Sequence, residues 1–197
     1  MNDKHNIIFL DIDGVLNGYS KWNVFGWRLV NMINYKPLIN WYRRVTEPFG
    51  IHERKVKRLA KIVKATNAKI VMSSSWRHDW WKKPYEKQYK DQKQLTDLLN
   101  KYDIEIIDIT PKLITDFRGD EIRSWLQENK SIVRSFIILD DEAYGMSPYK
   151  HSFRFIQTSD VSKNTNILNK LIITSGLKRK HVKQAIKILQ FKIINFY

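Results

Sequence analysis

Asp11 and Asp13 stand two positions apart in Asp-Ile-Asp-Gly-Val-Leu-Asn17, where the apolar run that begins at Asn6 ends. Carboxylates so placed can attack an electrophile, carry a proton to or from a reacting group, or hold a hard cation such as Mg²⁺. Two further apolar runs end in groups suited to the same chemistry. Lys69-Ile-Val-Met72 gives way to Ser73, Ser74 and Ser75, followed by Trp76 and Arg77, and Phe136-Ile-Ile-Leu ends in Asp140 and Asp141. Each motif alone has a plain structural explanation, since Asp-x-Asp-Gly is commonly a turn and Asp-Asp a helix cap or a solvated loop. Their occurrence in order, each closing a short apolar run, is the specific signal.

Such residues need a frame that brings distant segments together. Short β-branched runs without alternation predict strands buried on both faces, at Asn6 to Asp11, Lys69 to Met72, Ile104 to Ile109 and Phe136 to Asp140, with Phe153 to Ile156 as a fifth. Between them, apolar residues at i, i+3, i+4 spacing predict helices around Val56 and Leu59, Leu95 and Leu99, and Ile122 and Trp125, with a last one around Val182 and Ala185. Strand alternating with helix predicts an α/β fold, a doubly wound parallel sheet whose ligands bind at the carboxyl ends of the strands. Residues 18–50 break this rhythm. Leu29, Ile33 and the Leu38 to Tyr42 cluster, interrupted near Pro37 and Pro48, predict a small helical cap inserted into a single domain spanning 1–197.

The chain has 197 residues, 43% of them hydrophobic, with 35 Lys+Arg against 20 Asp+Glu and a net charge of +15. That is too apolar for a disordered basic tail, and a chain of this size buries roughly 70% of its unfolded surface. The lack of cysteine excludes a disulfide scaffold, a thiolate metal site and a cysteine nucleophile, and is compatible with the cytosol. The N-terminus reads as no signal peptide, and no apolar stretch approaches the roughly 18 residues of a membrane span. A cytoplasmic, intracellular protein with no membrane partner is therefore expected, and the richness in Lys, Ile and Asn fits an AT-rich genome such as a viral one. The charge is regional: residues 18–90 hold 17 Lys/Arg against four acids, a balance of +13, together with six of the seven Trp. Residues 91–175 nearly balance, and the tail from Gly176 adds six basic residues and no acid. Cations interleaved with large rings suit single-stranded nucleic acid, where cations follow the backbone and rings stack on bases. The histidines His52, His78, His151 and His181 form no metal spacing.

Asp-x-Asp-Gly-Val-Leu ending a first strand, a Ser or Thr ending the second, a basic residue opening a later helix and Asp-Asp ending a further strand resemble the haloacid dehalogenase-like (HAD) phosphohydrolases. The resemblance implies a HAD-like, Rossmann-type sheet and a Mg²⁺-dependent phosphatase. A phosphate monoester repels nucleophiles through its own anionic oxygens, so such a site must supply positive charge. By the resemblance, Asp11 attacks phosphorus and becomes an aspartyl phosphate, while Asp13 protonates the leaving oxygen and later takes a proton from water. Mg²⁺ would be held by Asp11, the backbone carbonyl of Asp13 and Asp140, with Asp141 as a second ligand or an orienting neighbour. The serine that contacts the phosphoryl group is Ser74 if Trp76 is the anchor, Ser73 if it directly follows the apolar run, and Ser75 on a Ser-x-Arg reading. Arg118, opening Arg-Gly-Asp-Glu-Ile-Arg-Ser-Trp-Leu126, is the preferred basic residue because its helix feeds the Asp140 strand, with Lys112 as the alternative. Arg77 is either a contact for the substrate phosphate or half of a structural salt bridge.

The Ser-Ser-Ser-Trp-Arg segment, the Arg-Gly-Asp-Glu-Ile helix start and the Gly176 to Ile186 tail resemble a subgroup of the superfamily: the 3'-phosphatase half of polynucleotide kinase-phosphatases and the HAD domain of Swiss-army-knife RNA repair proteins. That resemblance implies a phosphatase of nucleic-acid ends. A phosphatase of nucleotides or other small phosphoesters, and a nucleic-acid-binding module with a weak site, are the alternatives. The sequence contains no P-loop of the form Gly-x-x-x-x-Gly-Lys-Ser/Thr, so a phosphatase without a kinase half is expected.

Overall fold

A β-branched run persists as a strand when both of its faces can be covered. In the computed structural model, which describes residues 4–17, 29–40, 50–115, 117–159 and 176–191, this holds for β1 (His5–Leu10), β2 (Lys69–Met72), β3 (Ile106–Ile109), β4 (Val133–Asp140) and β5 (Phe155–Gln157). The strands pair in the order β3-β2-β1-β4-β5, and every pair is parallel. The chain builds outward from β1 to β3 and then crosses back to place β4 on the free side of β1. The order thus reverses between β1 and β4, and in such sheets the crevice at that reversal is where ligands bind.

The two-residue period of the strands divides the core. Ile8, Leu10, Ile70, Met72, Ile137 and Leu139 face one layer, against α1 (Glu53–Thr66), α3 (Lys90–Lys101) and α5 (Arg179–Gln190). Ile7, Phe9, Val71, Phe136 and Ile138 face the other, against Ile122 and Trp125 of α4 (Arg118–Glu128). Helices cover both faces, which is the doubly wound arrangement expected, and full burial of each aliphatic side chain contributes roughly 1.5–3 kcal/mol. α1 ends at Asn67 in the left-handed conformation, a common helix stop, and the chain turns at once into β2.

The strand positions match expectation to within a few residues. Two short elements were not foreseen: a 3-10 turn at Tyr85–Lys87 and a single helical turn, α2 (Arg77–Trp80), which begins just after the serines. Its Trp80 is buried and donates through Nε1 to Thr96 Oγ1 at 3.0 Å, while Trp81 packs against the same core, so these two rings belong to the fold. Of the expected cap, residues 29–33 and 36–40 are helical, separated by Asn34 at φ 49°. The rest of it, with Trp22, Trp27 and Trp41, lies outside the described residues. Among the described residues no helix is long and apolar enough to cross a membrane.

Candidate active site

Strand pairing alone brings the expected residues together. Leu10 is in register with Met72 on one side and Leu139 on the other, so the next residues, Asp11, Ser73 and Asp140, emerge side by side at the carboxyl edge. Backbone bonds continue past the strand ends, from Asp11 N to Leu139 O at 3.0 Å and from Ser73 N to Leu10 O at 2.8 Å. Both carboxylates are buried. Arg118, the first residue of α4, inserts Nη1 between them, 3.3 Å from Asp11 Oδ2 and in a close ion pair with Asp140 Oδ2. The helix start can come so close because its second residue is Gly119, where any Cβ would collide with the carbonyl of Ser147.

Arg118 takes the Oδ2 atoms. Asp140 Oδ1 accepts the Glu142 N–H at 2.8 Å, whereas Asp11 Oδ1 is buried and has no hydrogen-bond partner among the described residues. One oxygen from each of Asp11, Asp140 and Asp141 lies within 4.8 Å of the others. Opposite ligands of an octahedral Mg²⁺ at 2.0–2.1 Å stand about 4.2 Å apart, so small side-chain adjustments make this trio fit such an ion. Asp13, two residues on from Asp11, is exposed. It accepts Trp76 Nε1–H at 3.0 Å and Asn17 Nδ2–H at 2.6 Å, which orients it beside the acidic trio. Neither donor was identified from sequence as holding Asp13, since Trp76 also packs against the core and a Trp that does both is indistinguishable in sequence from a packing residue.

Gly14 closes the first motif at φ +66°, where a side chain is strained, and a Cβ there would collide with the side chain of Asp141. Thr158, after β5, locks the arrangement: its N–H donates to Asp140 O at 2.8 Å and its hydroxyl to Gly14 O at 2.8 Å. The Asp141 carbonyl accepts Gln157 Nε2 at 3.1 Å and Ser159 Oγ at 2.5 Å. These three residues carry no motif of their own, and only the strand order reveals them.

The candidate serines separate. Ser74 is buried with its hydroxyl acting on Asp11, Ser73 is buried with an Oγ that has no partner among the described residues, and Ser75 is exposed. Lys112 lies exposed in the loop after β3, and it is Arg118 that reaches the carboxylates. Of the two readings of Arg77, phosphate contact or half of a structural salt bridge, the structure shows the salt bridge. Arg77 is buried, donates through Nη1 to Ser74 O at 2.8 Å and pairs through Nη2 with buried Glu121 at 2.7 Å, so its charge is directed into the protein behind the site.

Three carboxylates around one guanidinium leave excess negative charge in a poorly solvated place. Burial pushes the Asp11 carboxyl up to about 8, with Asp140 adding to the push and Arg118, Ser74 and the Ile12 N–H opposing it. Burial also raises Asp140, and it lifts Asp141 to about 6 with help from Asp140 and Glu142. Burial works against the charge of Arg118, but Asp11 and Asp140 outweigh it and raise that pKa. Without a divalent ion, the folded protein keeps protons that the unfolded chain has released above about pH 4, so stability is lost as pH rises from about 4 towards 8. In a chelator-treated sample Tm should fall across that window. Mg²⁺ should reverse the fall, raising Tm by roughly 5–10 °C at 100 times its Kd, and by more at about pH 8 than at about pH 5, because the ion replaces protons. A Tm that ignores Mg²⁺ at both values would rule out an ion at this trio.

A family model described as the HAD domain in Swiss Army Knife RNA repair proteins matches residues 7–162. No curated protein and no solved structure matches the chain. The matched span runs from β1 through β5 and so includes every carboxylate of the site, Arg118 and the serines. With most of its length covered and its acidic crevice at the β1–β4 reversal, the chain belongs to this family of HAD domains and is a HAD-type phosphohydrolase.

Proposed function

We propose that this phosphohydrolase is a Mg²⁺-dependent phosphomonoesterase that works through an aspartyl phosphate on Asp11, and that its substrates are phosphorylated ends of nucleic acids. The observation that carries the catalytic part is Asp11 itself: a buried carboxylate with one oxygen held by Arg118 and the other unpartnered beside Asp140 and Asp141. An Asp11 oxygen forms a bond to phosphorus as the ester oxygen leaves with a proton from Asp13. Water then attacks phosphorus, Asp13 takes its proton, and inorganic phosphate departs with Asp11 restored. Arg118 offsets the charge on Asp11 and Asp140, and Ser74 supplies a hydroxyl at the phosphoryl position. Asp11, Asp140, Asp141 and the carbonyl of Asp13 would hold Mg²⁺, which neutralises charge on the phosphoryl oxygens.

Two features support a nucleic-acid substrate. The matching family is described as belonging to RNA repair proteins. The segment that leaves the site through Trp76 also presents exposed rings beside cations, with Lys83 Nζ 4.1 Å from the Tyr89 ring and Lys93 Nζ 5.4 Å from that of Tyr85. Stacking of this kind contributes about 1–3 kcal/mol per base. Oligonucleotides with a 3'-phosphate or a 5'-phosphate should therefore be hydrolysed with kcat/KM at least about tenfold above mononucleotides, the gain expected from one stacked base. Mononucleotides that react as well or better would assign the enzyme to small phosphoesters.

A further inference from the structure

Two cation-rich helices far apart in sequence meet at the rim of the active site. α1 carries six Lys/Arg against the single acid Glu53, and α5 carries four and no acid. Their apolar stripes pack into the same core layer, Val56 and Leu59 from one and Val182 and Ala185 from the other. Their first turns are tied to the loop that follows Asp13. His52 N donates to Leu16 O at 3.0 Å, Leu177 N donates to Val15 O at 2.9 Å, and Arg58 Nη1 donates to Leu177 O at 2.7 Å. Glu53 turns to the other side, to Lys101 at 2.9 Å and Tyr102 at 2.5 Å. Arg54 and Arg179 are exposed and near enough to Arg58 for their charges to act on it, and Lys55 is half-buried near Arg58 and Lys178.

We propose that the paired starts of α1 and α5 form the landing surface for the phosphodiester backbone of a single-stranded nucleic acid, with Arg54 and Arg179 contacting phosphates internal to a strand whose terminal phosphate lies at Asp11. The last clause rests on the phosphatase reading; the surface does not. Crowded like charges are the reason to expect an anion here: α1 and α5 together carry ten Lys/Arg against one acid, and Arg54 and Arg179 lie near enough to Arg58 that, after burial, their charges lower its pKa, a repulsion that a bound phosphate relieves. A membrane is the poorer partner. An interfacial helix inserts an exposed apolar face, and the apolar faces of α1 and α5 are already buried in the core.

The test compares two charge-matched variants of the full chain. Arg54→Gln/Arg179→Gln removes two exposed cations at the active-site end, and Lys183→Gln/Lys187→Gln removes two further along α5. Binding of an unphosphorylated single-stranded oligonucleotide is followed by fluorescence anisotropy across a salt series, and kcat/KM is measured on a terminally phosphorylated oligonucleotide and on an aryl phosphate. The first variant should lower the salt slope by about 1.4, at about 0.7 per lost contact, and lower the ratio of oligonucleotide to aryl phosphate kcat/KM roughly tenfold; the second should change the slope by less than half as much. Equal effects of the two variants mean general attraction and overturn the surface. So does an unchanged slope, or a loss of binding to anionic phospholipid vesicles with oligonucleotide binding intact. A wild-type protein that leaves the aryl phosphate untouched while the slope responds as expected defeats the phosphatase reading and leaves the surface standing.

Discussion

Asp11→Asn protein should fold but lose its phosphomonoesterase activity, with kcat reduced by at least about 10³-fold. The amide keeps the size of the side chain but is a poor nucleophile and a poor ligand for a hard cation. The same change should leave the protein as stable as wild type or more so. Burial holds the Asp11 carboxyl up at about 8, so ionising it in the fold is unfavourable, and an amide has no charge to desolvate. The expected signature is thus a lost activity together with a Tm that no longer falls as steeply between about pH 4 and about pH 8 in chelator, since Asp141, raised to about 6, then titrates without Asp11. An Asp11→Asn enzyme retaining more than about 1% of wild-type turnover would remove Asp11 from the chemistry.

The second large effect lies behind the site. Arg77→Met should destabilise the protein by about 3–5 kcal/mol, because it leaves Glu121 buried without its partner and the Ser74 carbonyl without its donor. For a chain of this length that is a fall in Tm of roughly 6–20 °C. The double change Arg77→Met/Glu121→Met should recover most of the loss, since a buried ion pair can often be replaced by apolar residues of similar volume. Chemical or thermal denaturation of the two variants settles the matter. A Tm unchanged in Arg77→Met, with KM raised, would restore Arg77 as a substrate contact.

The Arg77 result marks the line between what sequence carries and what it does not. The strands and their terminal carboxylates were legible because a two-sided apolar run has few other uses and because Asp11 and Asp140 end such runs. Arg118 was legible because a helix opening just before the Asp140 strand has to start near the strand's carboxyl edge. Arg77 was ambiguous because its partner, Glu121, sits one helical turn past Arg118 and looks, in sequence, like an ordinary acid in the first turn of a helix. Thr158, Gln157 and Ser159 were invisible for a related reason: they bind backbone carbonyls of Gly14, Asp140 and Asp141, and backbone partners leave no sequence pattern. The charge was legible in amount and region but not in arrangement. Only the packing of α1 on α5 shows that the basic tail and the basic middle of the chain form one surface at the rim of the site.

Formation of the covalent intermediate is the most direct measurement. Wild-type and Asp13→Asn proteins are mixed with an aryl phosphate and Mg²⁺, quenched in acid within a turnover and digested for mass spectrometry. The good leaving group needs little protonation, so Asp11 is phosphorylated in both proteins, and loss of the base that activates water makes the phosphorylated form accumulate in Asp13→Asn. The expected result is a hydroxylamine-sensitive phosphoryl group on the peptide carrying Asp11, more abundant in Asp13→Asn. A phosphoryl group on a serine or histidine, or turnover with Asp11 never modified in either protein, would contradict it.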